Sequence, residues 1–194
     1  MKTVLLCATL FAAALSGCAG LFEPKPIDAA KASQIGNLLA DADQNLKNSV
    51  WSKEQVSHYP LGSEMAGKFA EASQKYLQIA TDKSYEAYNL EPAWAPSNKM
   101  LALCQAKMGN SDKAIEFAQK AMKYDPTLDD CLQVIATEYT RKAIAATDAR
   151  TKKNYYAKAI AAYEEYIRRN PDRKNVPYLE STIEYLKEEM AKLK

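Results

Sequence analysis

The residues whose types could support chemistry are few: one histidine, four cysteines, and a short acidic stretch in a chain of 194 residues. His58 has Ser57 beside it, but a charge relay needs a nucleophile, a base and an orienting group brought together by the fold, not by adjacency in sequence. Asp125, Asp129 and Asp130 have the chemistry of calcium ligands. The stretch lacks the central glycine and the distal bidentate glutamate of a calcium loop, and Asp129 and Asp130 fit the start of a helix, where negative charge is favoured. No Cys/His pairing has the spacing of a zinc site. The expectation is therefore no catalytic residue, no metal and no enzymatic activity.

From Arg141 to Lys174 ten basic residues face four acidic ones, interleaved with Tyr155, Tyr156, Tyr163 and Tyr166. Aromatic and basic side chains together can bind single-stranded nucleic acid. Tyrosines three, seven or eight apart on a helix more simply form a buried seam under a solvated basic face. The net charge is +2, so no global field favours a polyanionic partner, and nucleic acid is not expected.

These residues must be positioned by helices. Hydrophobic residues make up 47 % and charged residues 26 %, with 6 Gly and 8 Pro. That composition excludes disordered, collagen-like and loop-rich all-β chains. Ile35, Leu38, Leu39, Ala42 and Leu46 lie on one stripe of a helix expected from about Asp28 to Val50. Trp51–Ser63, with Pro60-Leu61-Gly62, is expected to be a connector, and Met65–Leu90 one long helix. A final helix opens at Val176-Pro177, with Leu179, Ile183, Leu186 and Met190 on one face.

Pro92 and Pro126 are 34 residues apart, and Ala80, Ala87 and Leu90 fall in step with Ala114, Ala121 and Tyr124. The unit Ala95–Pro126 carries Leu101 and Ala102 in a first helix, Gly109-Asn110 at a turn, and Ala114, Ala118 and Ala121 where a second helix must cross closely. Residues 129–171 repeat the pattern with Leu132, Ile135, Ala136 and Tyr139, then Ala159, Ile160, Tyr163 and Tyr166, ending at Asn170-Pro171. In this pattern the chain resembles the tetratricopeptide repeat (TPR) family, with Asn98 where the family has tryptophan. The resemblance implies an all-α fold, an α-solenoid of antiparallel helix pairs with about three helical hairpins and a C-terminal capping helix. The second unit is 11 residues longer than the first. Its helices are expected to be lengthened, with a turn near Asp148–Lys152 and a projecting hairpin.

The first residues resemble the signal of bacterial lipoproteins. Lys2 is followed by an apolar run from Val4 to Leu15, too short to span a bilayer, and Leu15-Ser16-Gly17-Cys18 is similar to a lipobox. The organisation implied is a signal peptide over 1–17, a lipidated Cys18 with an extended tether over 18–26, and a single helical domain over 27–194. Diacylglycerol and an acyl chain on Cys18 would be the only attached groups; no other cofactor is expected. Ala19, rather than aspartate, implies the outer membrane with the domain on its periplasmic face, the inner membrane being the alternative. Cys7 would leave with the signal. Cys104 and Cys131 are 27 residues apart, seven short of the period and about 10 Å out of step along the helix axis, beyond the ~7 Å reach of a disulfide; they are expected to be unpaired and largely buried.

TPR proteins receive peptides or partner helices on a concave face formed by their first helices. By that register the groove would be lined by Lys99, Leu103 and Ala106, then Gln133, Thr137 and Thr140, with Arg141 at its edge. Leu103 stands where carboxylate-clamp members have asparagine, so a C-terminal-carboxylate clamp is not implied. In the capping helix one alignment turns Tyr178 and Tyr185 to the groove, another Pro177 and Glu184. The function implied is a non-catalytic lipid-anchored scaffold binding protein partners in a cell-envelope complex. A small-molecule-binding accessory lipoprotein of a transporter is the alternative.

Overall fold

The computed structural model describes residues 27–193. The signal over 1–17, the tether over 18–26 and Cys18 itself lie outside the described residues. Among the described residues seven helices follow one another: α1 (Ala29–Val56), α2 (Glu64–Leu90), α3 (Ala95–Lys107), α4 (Ser111–Tyr124), α5 (Asp130–Ala145), α6 (Ala149–Arg169) and α7 (Val176–Ala191). Each packs on the next, giving the three expected hairpins α1–α2, α3–α4 and α5–α6, with α7 closing the stack.

Local chemistry sets most boundaries. Asp28 caps α1 by accepting from the Lys31 amide at 2.8 Å, Ser63 caps α2 through Ala66, and Asp148 caps α6 through the Thr151 amide at 2.8 Å. Gly109 supplies the left-handed conformation (φ 82°) that ends α3. Asp125-Pro126 stops α4. The Asp125 carboxylate then accepts from the Thr127 amide at 2.9 Å and its hydroxyl at 2.6 Å. These bonds hold its carboxyl below the usual carboxylate range. The turn's contribution to stability is therefore present above the ordinary aspartate pKa and is lost as pH falls through the depressed one.

Three expectations need correction. Helix α1 does not end at Val50 but continues to Val56, because Trp51–Val56 contains no helix breaker and Ser52 is buried. The connector is thus only Ser57–Ser63. The turn between α5 and α6 falls at Ala146–Asp148, slightly earlier than expected, because Asp148 serves as the cap; most of the extra length goes into α6, with 21 residues against 14 in α4. Finally, the α1–α2 pair is the longer projection. Thr81 in α2 lies beside Met108 at the α3–α4 turn, its hydroxyl 3.6 Å from the Met108 sulfur, and the helix extends from there to Ser63, about 27 Å at 1.5 Å per residue. By contrast, Arg141 of α5 sits level with the end of α3, only a few residues from its own helix end.

The main core joins Leu101, Phe117, Ile135, Tyr156, Tyr163 and Tyr166 to Leu179, Ile183 and Leu186 of α7. Tyr156, Tyr163 and Tyr166 are therefore a packed seam, while Tyr155 stacks on Tyr139 with ring centroids 6.0 Å apart. A smaller cluster of Leu46, Ala80 and Cys104, flanked by Leu77, Met100 and Leu103, attaches α1–α2 to α3. Asn98 is fully buried and donates from Nδ2 to the carbonyls of Pro92 at 2.9 Å and Trp94 at 3.0 Å. A side-chain amide thus ties down the α2–α3 connection.

Ala114 is completely buried at a helix crossing. Ala114→Leu is expected to overpack it and cost about 1–3 kcal/mol, seen as a lower melting temperature with unchanged helix content. Cys104 and Cys131 are free and buried. Burial pushes both thiols up, Cys131 to about 11. Both are expected to resist an aromatic disulfide reagent at pH 8 in the native protein and to react fully after unfolding in denaturant, because the thiolate is the nucleophile.

A polar face shared by α3 and α5

Helices α3 and α5 lie side by side, which brings the two sets of sequence-predicted groove residues onto neighbouring helices. Their side chains divide into those engaged in holding the helices together and those left free. Lys99 Nζ pairs with Asp130 across the two helices at 3.1 Å. Gln133 accepts from Asn175 Nδ2 at 3.3 Å, linking α5 to the start of α7. Leu103 is half-buried against the Leu46–Ala80–Cys104 cluster. Ala106 is half-buried and its carbonyl accepts from Arg141 Nη1 at 3.0 Å. Thr140 donates its hydroxyl to the Ala136 carbonyl at 2.9 Å, one turn back. Thr137 is exposed, its hydroxyl 3.2 Å from that of Tyr163.

The centre of the face is uncharged once Lys99 and Asp130 neutralise one another. An amide and two hydroxyls remain beside a half-buried leucine, a surface suited to the backbone groups and small apolar side chains of a peptide. Both Tyr178 and Tyr185 of α7 are exposed, as are Pro177 and Glu184.

The residue that sequence reasoning missed is Glu138. It is 1 % exposed, yet it is a carboxylate. Arg141 donates to both its oxygens, at 2.9 and 2.7 Å, and Ser111 Oγ donates to Oε2 at 2.6 Å. Since Ser111 opens α4, the carboxylate lies near a helix N-terminus, where negative charge is favoured. The only sequence signal was its i, i+3 spacing from Arg141. Arg141 is consequently a tie between α5, the end of α3 and the buried carboxylate. It is 47 % exposed, with its guanidinium already engaged.

The acidic stretch is similarly engaged: Asp129 holds Arg169 at 3.1 Å and Asn170 at 3.2 Å, while Asp130 lies 3.9 Å from Arg173 besides its bond to Lys99. Among the described residues, no group of three or more His, Cys, Asp or Glu side chains is arranged to hold a metal ion. His58 is exposed in the α1–α2 turn.

The α3–α4 hairpin and α6 are the parts of the stack that are similar to a known repeat. Residues 95–128 and 148–173 match the tetratricopeptide-repeat family model. The first match covers α3, α4 and the chain up to the approach to α5; the second covers α6 and its flanking turns. Helices α1, α2, α5 and α7 lie outside the matches. No curated protein sequence matches the chain. Tetratricopeptide repeats stack helix pairs into extended binding surfaces, a protein-interaction scaffold rather than a catalytic framework.

Proposed function

We propose that this chain is a non-catalytic, lipid-anchored periplasmic scaffold at the outer membrane. On this reading the α3–α5 face binds a peptide or helix from protein partners of a cell-envelope complex. The observation that carries the reading is the face itself: consecutive repeat helices leave Lys99, Leu103, Ala106, Gln133, Thr137 and Thr140 incompletely buried at equivalent places. The lipobox-like Leu15-Ser16-Gly17-Cys18 supports the address, and an extended tether gives the domain reach from the bilayer.

Thr137 is the position at which to test the face, because it is exposed and outside the Glu138–Arg141 tie. A photo-crosslinking amino acid at Thr137 is expected to capture a discrete partner in intact envelopes, whereas the same probe at the exposed Asn154 is not. In chains without the probe, Thr137→Arg should reduce capture of the same partner by a chemical cross-linker at least about ten-fold by placing an unpaired charge at the centre of an interface, while shifting stability by no more than about 0.5 kcal/mol. Equal capture from both positions, or capture unaffected by Thr137→Arg, would place binding elsewhere.

A further inference from the structure

The α1–α2 arm ends in an uncovered apolar cluster. Among the described residues, four of the nine exposed large hydrophobics fall in this arm: Trp51 (55 % exposed), Tyr59, Leu61 and Met65. Phe69 organises them, its ring 5.8 Å from Trp51 edge-to-face and 5.5 Å from Tyr59 stacked. Leu61 is 100 % exposed between Pro60 and Gly62, whose φ of 80° suits the turn to glycine. Nothing in the fold needs a leucine held there.

The other turns on the same edge of the stack are basic. Lys107 and Lys113 flank the α3–α4 turn, and Arg150, Lys152 and Lys153 follow the α5–α6 turn; none of them forms an ion pair among the described residues. Of the acids nearby, Glu64 pairs with Lys68, Asp112 with Lys142, and Asp148 accepts from the Thr151 amide, while the exposed Glu54 and Glu71 of the arm are matched in number by the exposed Lys53 and Lys75. One edge of the molecule thus presents a protruding aromatic and aliphatic tip together with recessed, unpaired cations.

We propose that this edge docks on an anionic phospholipid bilayer, with Trp51, Tyr59 and Leu61 entering the headgroup region and the lysines and arginine of the recessed turns meeting phosphates as the domain inclines towards them. A protein partner normally offers a shaped pocket to a buried anchor, whereas a bilayer interface accepts isolated protruding side chains without shape complementarity. Tryptophan and tyrosine favour that interface, and lysine stems reach from apolar surroundings to headgroups. Reach is satisfied as well. This part of the argument rests on the Cys18 anchor proposed above: residues 19–28 separate it from α1, about 30 Å of extended chain, against about 42 Å for the 28 residues of α1. The tip therefore meets the anchoring bilayer when α1 is inclined, and cannot when the helix stands upright with its tip toward the membrane.

The test uses the full lipidated chain carrying Trp94→Phe, so that Trp51 is the sole tryptophan, in vesicles of phosphatidylethanolamine and phosphatidylglycerol with brominated acyl chains. Trp51 emission should shift to the blue and be quenched by the brominated lipid, and both effects should be lost in phosphatidylcholine vesicles. Lys113→Glu with Arg150→Glu should also abolish them. Those two changes lie in the first turns of α4 and α6, where negative charge is compatible with the helix dipole, so helix content should not change. Leu61→Glu in the unacylated Cys18→Ser chain should weaken partitioning to anionic vesicles at least about ten-fold. An environment-sensitive fluorophore on Leu61→Cys gives a second readout that leaves the core untouched. An acylated chain whose Trp51 and residue-61 fluorophore stay open to water on anionic vesicles overturns the tip contact and leaves the anchor standing. Shielding of the tip only after envelope proteins are added also overturns it, in favour of a protein partner. Tip quenching in a chain that keeps Cys18 yet takes up no acyl label supports the contact while removing the anchor.

Discussion

Arg141→Met is expected to destabilise the fold by about 3 kcal/mol, an unusually large effect for a side chain that is 47 % exposed. The cause lies in its partner. Glu138 is 1 % exposed, and without the guanidinium its carboxylate keeps only the Ser111 hydroxyl, at 2.6 Å. Breaking a buried pair from one side leaves an uncompensated charge, which costs more than the pair contributes when intact. The arginine also closes the Ala106 carbonyl at the end of α3, so its loss loosens the seam between consecutive repeats. The double variant Glu138→Leu with Arg141→Met should therefore lose much less than the sum of the two single variants. Urea unfolding of all four proteins measures the coupling. A coupling energy below about 0.5 kcal/mol would show that the carboxylate is solvated without Arg141. The same experiment separates structure from binding: an effect of Arg141 on partner capture that tracks lost stability is not evidence that it touches the partner.

The fold was legible where the chain carries its own punctuation. Pro92, Pro126 and Pro171 end helices by removing a donor and restricting the preceding residue, and alanines at 80, 87, 114 and 121 mark close crossings; all four are completely buried. The end of α1 was not legible, because Trp51 and Val56 look like the start of an irregular connector until packing against Phe69 and the burial of Ser52 are known. The length of the arm is set by where α1 ends. On the α3–α5 face the register gave the positions but not their partners. Lys99 reads as a free cation in the sequence, yet Asp130, 31 residues away, neutralises it. Glu138 was hidden for the same reason: Ser111 is 27 residues earlier and is brought to it only by the packing of α4 on α5. Periodicity reports which side of a helix faces inward, while the satisfaction of a buried charge depends on groups distant in sequence.

Cys18→Ser is expected to abolish incorporation of radiolabelled palmitate completely and to release any processed chain from the membrane fraction. The thiol is the acceptor for diacylglycerol in the lipobox reading, and serine in its place offers a weaker nucleophile that the modifying enzyme is not built to use. Each buried methylene contributes about 0.8 kcal/mol to membrane affinity, so losing several acyl chains removes far more attachment than any protein surface would replace. The domain itself should be unaffected, since Cys18 precedes the first residue of α1 by 11 positions; equal melting temperatures and far-ultraviolet spectra would confirm that release is not unfolding. A small remaining fraction on anionic vesicles is expected if the α1–α2 arm makes its own contact, and that fraction should fall with added salt because Lys107, Lys113 and Arg150 are exposed. Palmitate labelling equal to that of the unchanged chain would overturn the anchor at Cys18. Release without any prior labelling of the unchanged chain would do the same, assigning residues 1–17 to an ordinary cleaved signal.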